Sequence, residues 1–409
     1  MVEKRRWTVR DLRRDNRAVL LWSLFCSQPC SRQDLSDDTG LSAASVGNVI
    51  RELISDGIVT EAGSEDSDGG RPRVLLRMNP SYGHVIGIDV GETRVRVELF
   101  DLTMTVRVKA DYPLDPNEHG VDVVVERISA GLAKVLADAD VDPADVLGAG
   151  VAVPGVVEQG PEVLVYGQAY GWDAVPLERL LRPAAQFPLY IDNGAKTMGQ
   201  AELWFGAGRG VRQAVVCLIG SGLGASVITG VSRGRGDSST SVEWGHTTIK
   251  VGGRACRCGS QGCLEAYVGA EAILDRYALP LPGEDQESML GALIEATDAR
   301  AAAILDKTAV YLGAGIANLI NLFGPERIVL GGWAGLMLGE RLLPAIREAA
   351  RERALAHRFA QTSIELGRVG ADAVALGAAT LPMEHFLHGT LAIRTTAMRA
   401  PTPDDRAAG

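Results

Sequence analysis

Between Glu243 and Glu265 the chain reads E-W-G-H-T-T-I-K-V-G-G-R-A-C-R-C-G-S-Q-G-C-L-E. His246 is followed after nine residues by Cys256, then by Cys258 and Cys263, so one imidazole and three thiols fall close together. One His and three Cys complete the tetrahedral shell of a structural zinc ion and leave no corner open for a catalytic water. Gly252, Gly253, Gly259 and Gly262 supply the bends such a knuckle needs. Six cysteines in 409 residues, without an apolar leader, argue against a disulfide framework. His246, Cys256, Cys258 and Cys263 are therefore expected to hold Zn2+. A loop closed on an ion would also draw the bracketing carboxylates, Glu243 and Glu265, toward one face of His246. The ion fixes one ring nitrogen while the other faces outward. Two acceptors and an imidazole suit a polyhydroxylated ligand.

The length is enough for two or three domains with sizeable cores. No run of eighteen apolar residues is present, so no membrane partner is expected and the chain is read as cytoplasmic. Charge is distributed unevenly. The whole chain carries 41 basic against 51 acidic residues, but residues 1–80 carry 12 of each. A neutral, arginine-containing head on an acidic body allows contact with DNA through the head only.

The head has the parts of such a contact. Apolar residues fall at helical spacing from Asn16 to Ser27, and Ser31 caps a short helix that ends at Gly40. Ser42 opens another helix, with Val46, Val49, Ile50, Leu53 and Ile54 as its apolar stripe. Ser42, Ala43, Ser45, Asn48 and Arg51 lie off that stripe, and their size and polarity suit a recognition helix approaching base edges. Ile58–Thr60, the turn G-S-E-D-S-D-G-G and R-P-R-V-L-L-R form a hairpin wing. In it Arg71 and Arg73, on a proline-stiffened backbone, are placed for phosphates or a narrow minor groove. Asn79-Pro80 marks a boundary, so residues 1–80 are expected to be a winged helix-turn-helix domain.

The body begins with V-I-G-I-D-V-G-E-T-R-V-R-V-E-L-F, a strand–turn–strand in which Asp89, Gly91 and Thr93 have D-x-G-x-T spacing. Such a hairpin can wrap a phosphate through backbone amides, the Thr hydroxyl and a metal ion on the Asp. A second strand–glycine–strand hairpin, V-V-C-L-I-G-S-G-L-G-A-S-V-I-T, places Gly220, Gly222 and Gly224 similarly; a dinucleotide fingerprint would need strand then helix. Two such hairpins indicate an internal duplication of the actin-like kind. Between them a strand ends at Asp192-Asn193-Gly194 and leads into a helix, Ala195–Phe205. Helix is expected from about Ala270 through Leu319, then a strand, Ile328–Leu330, before Gly331-Gly332. A small-residue helix is expected over Ala371–Thr380, followed by a disordered tail over 396–409.

Taken together, these motifs resemble the ROK family of repressors and sugar kinases, from about Asn16 to Thr380. The shared features are G-G-R-P-R in the wing, D-x-G-x-T, Pro154-Gly155, G-S-G-L-G, E-W-G-H, C-x-C-G-x-x-G-C-L-E and Gly331-Gly332. The resemblance implies an α/β chain: a winged head, then a two-lobed actin-like, ribonuclease H-like body with lobes over 81–200 and 201–395. It implies sugar contacts from Gly155, Asn193, Glu243, His246 and Glu265. In the family's kinases an Asn-Asp pair ends the strand before the central helix, and the Asp is the general base. Here Asn193 matches the Asn and Gly194 falls on the Asp, while Asp192 lies two residues away. Glycine accepts no proton, and a positioned base contributes ~10²–10⁴ in rate. The reading is thus a sugar-responsive repressor with no catalytic residue, in which Asp89, Gly91, Thr93, Gly220, Gly222 and Gly224 are vestigial phosphate contacts. Expected partners are operator DNA, a sugar or sugar phosphate, and further copies of the chain as a homodimer or homotetramer. The alternative is an ATP-dependent, glucokinase-like sugar kinase that also binds DNA.

Overall fold

The computed structural model describes residues 9–66, 72–115, 119–230, 238–283 and 285–389. It separates into two units: the described parts of Met1–Tyr82 with Glu384–Gly409, and Gly83–Met383.

In the first unit, α1 (Val9–Ser27), β1 (Cys30–Ser31), α2 (Arg32–Thr39) and α3 (Ala43–Ser55) precede β2 (Val59–Glu65) and β3 (Arg73–Met78). The strands form one sheet in the order β1-β3-β2. Leu20, Leu24, Leu35, Val46, Ile50, Leu53 and Leu76 make its core. Capping sets the helix boundaries: Ser31 and Asp34 form a reciprocal capping box at the start of α2, and Gly40, at φ 71°, closes its end. Ser42 then accepts from the Ser45 amide at 3.2 Å to start α3. α1 begins at Val9, earlier than the apolar periodicity indicates. Its opening turns are charged and Leu12 is 53% exposed, so no apolar stripe marks them. Arg13 and Arg17 instead reach Glu52 on α3 and Asp56, the residue that caps its C-terminus. The wing tip, 67–71, with Gly70 and Arg71, lies outside the described residues, as does the expected tail over 396–409. Phe386 packs on Tyr82 and His388 stacks on Trp22, with ring centroids 5.8 and 6.2 Å apart.

The second unit is one pattern built twice. β4 (His84–Val90), β5 (Arg94–Asp101) and β6 (Val106–Pro113) are followed by α4 (Val121–Ala139), β7 (Val146–Val153) and a small sheet of β8 (Val156–Glu158), β9 (Leu164–Gly167) and β10 (Trp172–Val175). Then come α5 (Leu177–Leu181), β11 (Leu189–Asn193) and α6 (Gly194–Phe205). The second half holds β12 (Gln213–Ile219), β13 (Leu223–Thr229) and β14 (Ser238–Val242), then α7 (Glu265–Val268), α8 (Ala270–Tyr277), α9 (Gln286–Glu295) and α10 (Ala299–Phe323). It closes with β15 (Arg327–Gly331), α11 (Trp333–Arg351), α12 (Ala356–Phe359), β16 (Ser363–Leu366) and α13 (Ala373–Leu387).

The two large sheets run β11-β7-β4-β5-β6 and β14-β13-β12-β15-β16. In each, the first strand pairs antiparallel with the second and parallel with the fourth, and the fourth pairs parallel with the fifth. This is the duplicated actin-like arrangement expected from the two glycine-rich hairpins.

Two departures from the sequence reading have local causes. The helix expected from Ala270 through Leu319 is three helices. Pro280 and Pro282-Gly283 interrupt the pattern, and Asp285 and Asp298 cap the restarts by accepting from Ser288 and Ala301 amides at 2.7 and 3.0 Å. α13 runs past Thr380 through Pro382. Pro382 has no N–H to give the Ala378 carbonyl, and that carbonyl lies against Gly150 of β7, where a Cβ would overlap it. Glycine there lets the helix lie directly on the first sheet. Among the described residues α10 is the one helix long and apolar enough to cross a membrane. Ile304, Leu312, Ile316 and Ile320 bury it in the core beside the second sheet.

Candidate functional site

The knuckle folds as a four-donor cluster. The ligand atoms of His246, Cys256, Cys258 and Cys263 all lie within 4.8 Å of one another. Cys258 Sγ is 3.7 Å from Cys263 Sγ, and Cys256 Sγ is 3.7 Å from His246 Nδ1. Thiolates on a tetrahedral ion at ~2.3 Å stand about 3.8 Å apart, so the donors fit such an ion without rearrangement. The loop is held by bridges between Thr248 and Cys263 and between Ala255 and Gln261. The Tyr267 hydroxyl accepts from the Arg254 amide at 2.8 Å. Gly262 has φ 78°, and any Cβ there would strike the Lys250 carbonyl. The buried Trp244 indole donates to the Gly315 carbonyl at 3.2 Å, anchoring E-W-G-H to α10.

Beside the cluster lies a cavity of about 540 Å³, well within the range of small-molecule sites. It gathers Gly155, Asn193, Glu243, His246 and Glu265 with both glycine-rich hairpins, represented by Asp89, Gly91, Thr93, Gly220, Gly222 and Gly224. His246 directs Nδ1 to the thiols and also lines the cavity. Glu243 is exposed at the cavity, and partial desolvation there pushes its carboxyl upward; His246 opposes that shift and Glu265 adds to it. Burial likewise pushes Asp89 up to about 6, with Arg96 and Arg94 pulling it back. Gly155 sits at φ 86° with no room for a Cβ beside the Tyr166 carbonyl. Asn193 also has a scaffold role: Oδ1 caps α6 by accepting from Ala195 and Lys196 amides at 2.9 and 3.1 Å, and Nδ2 donates to the Gly155 carbonyl at 2.6 Å. One amide N–H remains for a ligand.

Gly194 is the first residue of α6 and lines the cavity. Asp192, the nearest carboxylate in sequence, is absent from the cavity lining and holds Lys196 at 2.5 Å. Its other oxygen accepts from the Asn193 amide at 2.8 Å. Displacement by two residues along β11 therefore carries this carboxylate away from the site.

Sequence reasoning missed Glu92 and Arg257. Arg257, the central residue of C-R-C, donates from Nε to Glu265 Oε1 at 2.9 Å and forks onto Glu92, with Nη2 2.8 Å from Oε1 and Nη1 on Oε2. Glu265 Oε2 accepts from the Leu223 amide at 2.9 Å. Nothing local signals this triad, because Glu92 and Arg257 belong to opposite halves of the duplicated unit.

On the head, Ser42, Ala43, Asn48 and Arg51 are exposed and Ser45 is half-buried. Arg51 donates to Asn48 Oδ1 at 3.2 Å, and the Ser42 and Ser45 hydroxyls lie 3.0 Å apart, so this surface is ordered by its own bonds. Ala44 belongs to the same exposed end and Gly47 is half-exposed beside it. Arg73 is exposed at the base of the wing, 3.9 Å from Asp34.

A winged helix-turn-helix head and a duplicated actin-like body with a thiol–imidazole knuckle beside its cavity define the class. Residues 85–385 match the ROK family, and the chain belongs to it. The chain is 30% identical over 391 residues to a xylose repressor of Caldicellulosiruptor bescii, covering 92% of this chain and 97% of that protein. A solved ROK family transcriptional regulator, a homologue of the E. coli MLC protein, shares the fold with a TM-score of 0.72 at 24% identity, over 92% of this chain and 97% of that one. A ROK glucokinase from Streptomyces griseus, solved with glucose and AMPPNP, matches at 26% identity and a TM-score of 0.61, over 73% of this chain and 99% of that one.

Proposed function

We propose that this chain is a sugar-responsive transcriptional repressor whose body binds a sugar without phosphorylating it. The observation that carries the reading is the cavity itself. It keeps the acceptor-rich set of Glu243, His246 and Glu265 and has Gly194 where the family's kinases place their base. Sugar hydroxyls pair with the carboxylates of Glu243 and Glu265, the free imidazole nitrogen of His246, the Asn193 amide and the backbone at Gly155. Asp89, Gly91, Thr93, Gly220, Gly222 and Gly224 remain as the walls of a disused phosphate site. Zn2+ on His246, Cys256, Cys258 and Cys263 is structural: it fixes the His246 ring and the path of the chain into Glu265.

The head reads operator DNA with Ser42, Ala43, Ser45, Asn48 and Arg51 on α3, and its wing contacts backbone or minor groove through Arg71 and Arg73. A homodimer presents two heads to two half-sites in the cytoplasm. The sugar acts by binding one arrangement of the body more tightly than the other, because a ligand without such preference shifts nothing. Free sugar is expected to release DNA, in keeping with the repressor character of the xylose repressor the chain resembles. The test is Glu243→Gln: DNA affinity stays near wild type while the sugar response weakens at least about tenfold, as for a lost hydrogen bond to a charged group. A Glu243→Gln chain that responds at unchanged sugar concentration overturns the assignment.

A further inference from the structure

Part of the space between the two glycine-rich hairpins is bridged by side chains. Glu92, of the first hairpin, and Glu265, beside the metal knuckle, are joined there by Arg257, and their side chains are 17% and 8% exposed. The triad packs on the backbone of the second hairpin. A Cβ on Gly222 would meet Arg257 Nη2 first, then Glu265 Oε2 at 2.9 Å and Glu92 Oε1 at 3.0 Å. The two turns that could hold a phosphate are thus separated by a carboxylate–guanidinium–carboxylate bridge.

Charge points the same way. Asp89, Glu92, Glu243 and Glu265 line the cavity against Arg94 and Arg257. Arg257 has Nε and both Nη atoms committed to carboxylates, and Arg94 Nη1 pairs with Glu287 at 3.3 Å. No lysine lines the cavity among the described residues. A phosphate ester entering this space meets an excess of carboxylates and finds Arg257, the guanidinium between the hairpins, already forked onto one of them. A neutral polyol meets acceptors that its hydroxyls can satisfy.

We propose that the Glu92–Arg257–Glu265 triad makes this an uncharged-sugar site that rejects sugar phosphates and nucleotides, with Glu92 and Arg257 as the residues that set the specificity. This rests on the sugar reading above and narrows it to one ligand class.

The test titrates the full-length, metal-loaded chain with free aldoses (D-xylose and D-glucose first), glucose 6-phosphate, inorganic phosphate and Mg·ATP, followed by calorimetry. Wild type is expected to take a free aldose and none of the phosphate-bearing probes. Glu92→Gln frees the Arg257 fork and removes one negative charge, so binding of inorganic phosphate or glucose 6-phosphate rises about 10- to 100-fold, as for one charge-assisted bond. Adding Arg257→Gln to Glu92→Gln abolishes that gain, which separates a released guanidinium from mere extra space. Glu92→Ala serves the same purpose should the amide variant not fold. Wild type binding glucose 6-phosphate within tenfold of free glucose, or a folded Glu92 variant gaining no phosphate binding, overturns the proposal. If no free aldose binds wild type, the sugar reading falls; the inorganic-phosphate titration uses no sugar and still decides what the triad does.

Discussion

Gly194→Asp tests the silence of the body most sharply. The glycine does not have a positive φ, and a Cβ there would meet nothing nearer than the Val153 carbonyl at 3.7 Å, with Leu218 and Val374 methyls at 3.8 Å. These are ordinary van der Waals distances, so the carboxylate can enter the cavity without moving the backbone. It would also stand in the first turn of α6, where a negative charge is worth about 0.3–1 kcal/mol. Losing glycine's unfolded-state freedom adds about 0.4–1 kcal/mol, and partial desolvation of the new charge offsets part of the total. The variant should therefore melt within about 4 °C of wild type. A positioned base is worth about 3–5 kcal/mol of barrier. With Arg257 still forked onto Glu92, however, Gly194→Asp alone should release no ADP beyond background in a coupled assay with Mg·ATP and an aldose panel. The double variant Gly194→Asp/Glu92→Gln should show sugar-dependent ADP release. Sugar-dependent ADP release by the wild type would refute the reasoning outright, and a melting point lowered by more than about 8 °C would refute the steric part.

Three other outcomes are expected. Glu98 is fully buried on β5, where burial and then Asp372 push its carboxyl up to about 7, against Lys109 at 3.0 Å and Arg96. A carboxyl raised in the folded state stabilises below its unfolded pKa and loses that contribution as pH rises through the folded value. Thermal stability should therefore fall between about pH 5 and 8 by at most ~3 kcal/mol, and Glu98→Gln should flatten the fall. Cys258→Ser should lower bound zinc from about one per chain to near zero by elemental analysis, and should abolish the sugar response; a variant that keeps its metal removes Cys258 from the ligand set. Arg51→Ala should weaken operator binding by about 1–3 kcal/mol without changing sugar affinity, read by anisotropy and calorimetry on the same preparation.

What was legible in the sequence was local. The knuckle's four donors lie within one short segment, the capped ends of α2 and α3 within a turn, and each glycine-rich hairpin within two adjacent strands. Those spacings translate directly into geometry, and the duplicated strand order follows from two hairpins of one kind. The dependence of α13 on Gly150 was not legible, because a glycine in a strand does not say which carbonyl will approach it. The early start of α1 escaped because its first turns are charged, with Arg13 paired to Glu52 of α3 rather than an apolar face packed on the core. The Glu92–Arg257–Glu265 triad escaped for the deepest reason. It joins two halves of a duplicated fold, and Arg257 reads locally as a spacer between two metal ligands.

The central claim is that one sugar, held in the cavity beside the knuckle, governs DNA binding by the head. Its direct measurement is fluorescence anisotropy of the full-length chain on DNA from upstream of its own gene, titrated with free aldoses and their phosphate esters. Saturable binding is expected that one free sugar releases, at concentrations its phosphate ester does not match, with the release lost in Glu265→Gln. Binding that ignores every sugar, or release that survives in Glu265→Gln, would contradict it.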